Sequence, residues 1–120
     1  MLERGREEVF IGIDVSKDKL DVAVRPTGEF MSFSNNEDGM SCAVDFVKPL
    51  FPHLVILEAT GGLETAAVAM LAEKGLPVVV INPRQIRDFA KATGKLAKTD
   101  VIDAHMIARF GEAPYSCAHG

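Results

Sequence analysis

The chain lacks most of what would staple it or anchor it. Its thiol complement is two cysteines, Cys42 and Cys117. They stand far apart, form no C-x-x-C, and neither neighbours a histidine at a zinc-binding spacing, so neither a disulfide framework nor a structural zinc site organises the fold. No apolar run approaches the ~18 residues of a membrane span; the longest stretches resemble PVVVI, from Pro77 to Ile81. The opening MLERGREE is too charged for a secretory signal and has no apolar core, so the expected residence is cytoplasmic, with no membrane partner. Internal repeats and low-complexity tracts are missing too. So is positive charge: 13 Lys and Arg against 17 Asp and Glu leave a formal charge of -4.

What is present is the ordinary material of an α/β domain. The 120 residues are 48% hydrophobic and 25% charged, enough for one domain that buries roughly two thirds of the surface of its unfolded chain. Val9 to Val15 (VFIGIDV) is apolar apart from Asp14, as in a strand buried on both faces and ending in a polar residue. After the turn SKDK, Leu20 to Arg25 alternates. Pro26, Thr27 and Gly28 punctuate, and Glu29 to Ser34 alternates again, so three strands form an antiparallel meander. Asn35 or Asn36 can cap a helix carrying Met40, Ala43, Val44 and Val47 on one face until Pro49 stops it. Leu54 to Leu57 is a short apolar strand ending at Glu58. Thr60 or Gly61 can begin a helix through Lys74, with Leu63, Ala66, Ala67, Met70 and Leu71 on one face and Gly75 as its C-cap. Pro77 to Ile81 reads as another buried strand. Pro83 suits the first turn of a helix from Arg84 to about Thr93, and a linker with Gly94 leads to a last helix from about Thr99 to Phe110. The expected domain is 1–110, with residues 111–120 (GEAPYSCAHG) a disordered tail of a chain that looks cut short.

A three-strand meander followed by α-β-α-β-α-α, with helices on both faces, is the order of the ribonuclease H-like mixed sheet. In such a sheet Asp14 and Glu58 end neighbouring strands and face one crevice, because ligand sites in open α/β sheets lie beyond the strands' carboxyl ends. Asp100 and Asp103, three apart, share one helix face and can present two more carboxylates to it. Four hard oxygen ligands suit Mg²⁺ or Mn²⁺, and two ions ~4 Å apart would serve an in-line phosphoryl displacement. They would also cancel four of the negative charges that otherwise count against holding a polyanion. Each acid has a plainer use. Asp14 could form a turn, Asp100 could cap a helix, and Asp103 could favour a helix dipole. Glu58 is harder to dismiss, since a carboxylate closing LVIL costs several kcal/mol if buried unpaired.

The blocks IGIDVSKDKLDVAV (Ile11 to Val24), LEATGG (Leu57 to Gly62) and INPRQIRDFAKATGKLAKTDVIDAHMIARF (Ile81 to Phe110) together resemble the DEDD transposases and invertases. This family comprises the Piv-type recombinases and related insertion-sequence transposases. The resemblance spans residues 9 to 110 and the sequence after Phe110 departs from it. It implies an amino-terminal RuvC-like catalytic domain in which Asp14, Glu58, Asp100 and Asp103 are the catalytic, metal-binding acids. It further implies divalent-metal-dependent DNA cleavage and strand transfer, DNA as partner, in some relatives a structured guide RNA, and a carboxy-terminal serine-containing domain that this sequence lacks. A homo-oligomer is expected.

Arg84, Arg87, Lys91, Lys95 and Lys98 step by three or four, so on a continuous helix they form one stripe. It is either a phosphate track for DNA or RNA or a solvated face, and Lys17 and Thr99 flank the acids. Ser16 to Lys19 spells S-x-x-K without the partner motifs of a serine acyl-enzyme. Gly94-Lys95 lacks the rest of a P-loop. His105 points away from Asp103. Two other functions compete: a non-catalytic or truncated remnant that binds nucleic acid or oligomerises through an exposed Phe110 and open strand edges, and an actin-like ATPase-fold domain, for which SKDKLD is a poor phosphate-binding turn.

Overall fold

The structure, a computed structural model, describes residues 8–92 and 104–119. Its elements are β1 (Phe10–Val15), β2 (Lys19–Arg25), β3 (Phe30–Ser34), α1 (Glu37–Val47), a 3₁₀ turn (Lys48–Leu50), β4 (Leu54–Glu58), α2 (Thr65–Glu73), β5 (Val78–Ile81), α3 (Pro83–Ala92) and α4 (Ala104–His119). The five strands form one mixed sheet in the order β3-β2-β1-β4-β5. The meander pairs antiparallel, and β4 and β5 add in parallel beyond β1. This mixed sheet, with β4 beside β1, is consistent with the expected ribonuclease H-like domain.

Alternation along β1 decides which layer goes where. Ile11, Ile13 and Val15 face one core with their register partners Val24, Val22 and Leu20, and with Val55 and Leu57 of β4. Met40, Ala43, Val44 and Val47 of α1 and Ala67 and Leu71 of α2 cover that face; fully burying one such aliphatic side chain stabilises by roughly 1.5–3 kcal/mol. Asn36 starts α1, its side-chain oxygen accepting from the Gly39 N–H at 2.7 Å, while Glu37 and Asp38 occupy the first turn where the helix dipole favours acids. The opposite face holds a second core of Ile56, Ile86 and Ile107 beneath α3 and α4.

Gly12, on that second face, sets how closely α4 can approach. A Cβ there would overlap the Ala104 carbonyl oxygen and the Ala108 amide nitrogen and lie 2.9 Å from the Ala108 Cα. Only a residue without a side chain lets the helix backbone rest on the strand.

Four expectations from the sequence need correction. First, α2 begins at Thr65, not at Thr60 or Gly61. Gly61 and Gly62 adopt φ of +69° and +102°, and Glu64 Oε1 accepts hydrogen bonds from the Thr60 N–H, the Thr60 hydroxyl and the Gly62 N–H; together they wind a non-helical loop that leaves Leu63 exposed. Second, β5 is an edge strand with Val79 and Val80 38% and 42% exposed, not a fully buried one. Third, α4 does not end at Phe110 but continues to His119, and Gly111, where the expected tail begins, is buried against Ile56. Fourth, Phe110 is half-buried and packs edge-on against Phe89, with ring centroids 5.5 Å apart. The start of the last helix, from Thr99 to Asp103, lies outside the described residues.

Candidate active site

Parallel register brings the first two acids together. Ile13 pairs with Leu57, so Asp14 and Glu58, each one residue further along, occupy neighbouring places at the carboxyl ends of β1 and β4. Alternation turns both toward the face of Gly12 and Ile56, the face covered by α3 and α4. The electrostatics report the same proximity. Burial pushes the Glu58 carboxyl above the ordinary carboxylate range, the Asp14 charge pushes it further the same way, and the Arg87 guanidinium pulls it partly back.

Arg87 comes from α3, whose start is well determined by its sequence. The Arg84 N–H donates to Asn82 Oδ1 at 2.8 Å and the Asn82 N–H to Gln85 Oε1 at 3.4 Å, a reciprocal cap. Pro83 occupies the first helical position. Ile86 is then fully buried on the sheet, while Arg84, Arg87 and Lys91 are exposed. The first three members of the basic stripe thus share an exposed surface of α3, with the Arg87 charge close enough to be felt at Glu58. Lys95 and Lys98 lie outside the described residues.

The turn after β1 is fixed around the same end of the sheet. Ser16 and Lys19 close it through the Ser16 N–H and the Lys19 carbonyl at 2.9 Å, and the Ser16 hydroxyl bonds within the turn. Asn35 ties it to the end of β3, its Nδ2 donating to the Ser16 carbonyl at 2.7 Å. Lys17 is exposed at the turn, three residues from Asp14.

Asp100 and Asp103 lie outside the described residues, and so does Thr99. The described residue that follows them does not. Ala104 is fully buried over Gly12, two positions before Asp14 and on the same face, a step of about 7 Å along a strand. His105 stacks on Phe30 of β3, with centroids 5.4 Å apart and planes 22° apart, so it packs on the sheet.

Reading the sequence alone misses Asp21. It is the direct partner of Asp14 across the β1–β2 ladder and accepts a hydrogen bond from the Ser32 hydroxyl, its own partner on β3. The only signal was an acid on the side of the alternating run LDVAVR away from Leu20, Val22 and Val24. A row of Ser32, Asp21, Asp14 and Glu58 therefore crosses four adjacent strands. Among the described residues no three His, Cys, Asp or Glu side chains are grouped so as to hold a metal ion. Two oxygen-only side chains at adjoining strand ends, one held protonated longer by the other's charge, nonetheless fit a hard divalent cation, which would relieve the repulsion. No helix of the described residues is long and apolar enough to cross a membrane.

Comparison with known proteins agrees with the resemblance seen in the motifs. Residues 11–116 match a DEDD-type family described as Transposase, six residues past the point where the motif resemblance ends. The chain is 28% identical over 110 residues to the pilin gene-inverting protein of Moraxella lacunata, an alignment covering 87% of this chain and 34% of that protein. The pilin gene-inverting protein of Moraxella bovis matches with the same identity and coverage. The chain thus spans about a third of the length of these relatives.

Proposed function

The chain belongs to the DEDD transposase family, and from that premise we propose that it is the catalytic domain of a DNA transposase or site-specific recombinase that cleaves and transfers phosphodiesters with a divalent metal. The observation that carries this reading is the juxtaposition of Asp14 and Glu58 at neighbouring strand ends, on the face where α4 begins. Asp14 and Glu58 would hold one or two Mg²⁺ or Mn²⁺ ions together with Asp100 and Asp103, the acids that immediately precede α4. Bound there, the metal would supply Lewis-acid activation of the attacking oxygen and charge stabilisation at the leaving one.

The protein's own groups do the rest. Arg87, facing Glu58, keeps that carboxyl more ionised than burial alone would allow, and so readier to bind a cation. Arg84, Lys91 and Lys17, all exposed, meet backbone phosphates without reading sequence, together with Lys95 and Lys98. DNA is the substrate on this reading, with the remaining length of the relatives supplying strand exchange, an oligomer and, where used, a guide RNA. The domain acts in the cytoplasm.

The test is a calorimetric Mn²⁺ titration of the chain and of its Asp14→Asn and Glu58→Gln variants. The proposal expects saturable binding that weakens at least about tenfold in each variant, more than loss of a supporting residue costs. Equal affinity in all three proteins would refute the assignment.

A further inference from the structure

The opposite end of the sheet carries a second feature that the carboxylates do not use. Pro49 ends α1 in the 3₁₀ turn, and the next residue, Phe51, adopts φ +50° and ψ +59°. This left-handed residue caps the turn, its N–H donating to the Lys48 carbonyl at 3.1 Å, although a bulky side chain there carries strain that glycine would not. The cap leaves the ring in solvent, with Phe51 84% exposed. The ring stands at the mouth of a cleft of about 240 Å³ formed with Lys48, Pro52, Lys74, Leu76 and Pro77.

The chemistry of that lining is selective. It offers two cations and one aromatic face, with no carboxylate and no side-chain amide or hydroxyl. The prolines at 52 and 77 remove two backbone donors as well. An extended peptide would find few partners for its own amides in such a cleft. A chain of phosphates bearing flat rings finds what it needs, since bases stack on exposed aromatic rings and lysines neutralise the backbone beside them.

We propose that this cleft binds single-stranded nucleic acid, with one base stacked on Phe51 and the adjoining phosphates paired with Lys48 and Lys74. The site is separate from the carboxylates. It lies at the amino-terminal ends of β4 and β5, and the run from Leu54 to Glu58 alone puts about 13 Å of strand between the two. A strand held there is not the one being cut, and its binding stands or falls independently of the metal centre.

The chain contains no tryptophan, so Phe51→Trp places a single fluorophore at the site. The 120-residue chain with this change is titrated with an oligothymidylate or oligouridylate of about ten nucleotides, within the range one small domain accommodates. Chelator is present throughout, so an absent metal centre leaves the result untouched. Stacking quenches the indole. Affinity should fall roughly sevenfold between about 50 and 200 mM monovalent salt, as two neutralised phosphates on a single strand require, and Lys48→Ala should about halve the slope. By anisotropy with labelled oligonucleotide, Phe51→Ala should weaken binding of the otherwise unaltered chain about 5- to 100-fold. Phe51→Gly should raise the melting temperature, by releasing the left-handed strain, while binding as poorly as Phe51→Ala. Unquenched indole, Phe51→Ala binding as the unaltered chain does, or equal quenching by an acidic peptide would each overturn the proposal.

Discussion

Replacing Gly12 with alanine adds one methyl group in the narrowest gap of the molecule. The new Cβ would stand 2.9 Å from the Ala108 Cα where ordinary contact begins at 3.4 Å, and closer still to the Ala104 carbonyl and the Ala108 amide. Helix α4 must therefore lift by at least about 0.5 Å, and by more at its first turn. All three obstacles are backbone atoms, so no side-chain rotation relieves the clash. Overpacking of this kind costs about 1–3 kcal/mol. With an unfolding entropy of about 2.1 cal/mol/K per residue, a 120-residue domain loses about 4 °C per kcal/mol, so the melting temperature should fall by about 4–12 °C. The same displacement lifts the turn that follows Asp103. Misplacing catalytic groups by such distances costs up to about a hundredfold in rate, so Mn²⁺ affinity should drop together with stability. Calorimetric melting and Mn²⁺ titration of Gly12→Ala measure both. A variant that melts and binds metal as the unaltered domain does would refute the seating of α4 on β1.

Three further outcomes follow from the geometry. Because the folded-state pKa of Glu58 lies above its ordinary 4.5, the stability tied to this carboxyl is present below that value and is lost as pH rises through the raised one. Metal-free Glu58→Gln should therefore be more stable than the unaltered domain at pH 7 and equal to it near pH 4, in paired thermal melts; the opposite order would contradict the electrostatic reading. Glu64 behaves in the reverse sense. The Thr60 N–H, with further hydrogen bonds from Gly62 N–H and the Thr60 hydroxyl, holds its carboxyl below 4.5, so its contribution is present above that value and disappears as pH falls through the lowered one, a component that Glu64→Gln should remove. Asn36→Ala deletes the side-chain cap of α1 and should cost about 1 kcal/mol, or about 4 °C; an unchanged melt would show that solvent caps the helix as well.

Much of this architecture could be read from local pattern, because it is encoded locally. The alternation of β2, the apolar run of β1 and the spacing of Met40, Ala43, Val44 and Val47 each specify an element and its buried face. The ends of β1 and β4 follow, and with them the neighbouring positions of Asp14 and Glu58. What escaped was decided by distant residues. VVVI reads alike in the centre of a sheet and at its edge, and only the absence of a neighbour beyond β5 among the described residues leaves Val79 and Val80 exposed. Gly111 and Pro114 signal a stop, yet α4 runs through both, with Gly111 packed on Ile56 of a strand far back in the sequence. Gly12 is unremarkable within an apolar run until a helix crosses it. Asp21 becomes visible only when antiparallel register sets it opposite Asp14.

The central claim is that acids distant in sequence gather around one cation on the α4 face of the sheet. Nuclear magnetic resonance with substoichiometric Mn²⁺ tests it most directly, since paramagnetic broadening marks amides close to the ion. The account predicts that the amides of Val15, Ala59, Ala104 and His105 disappear together, that those around Phe51 persist, and that Glu58→Gln restores the lost signals. Broadening near Asp14 and Glu58 that leaves Ala104 and His105 sharp would contradict it.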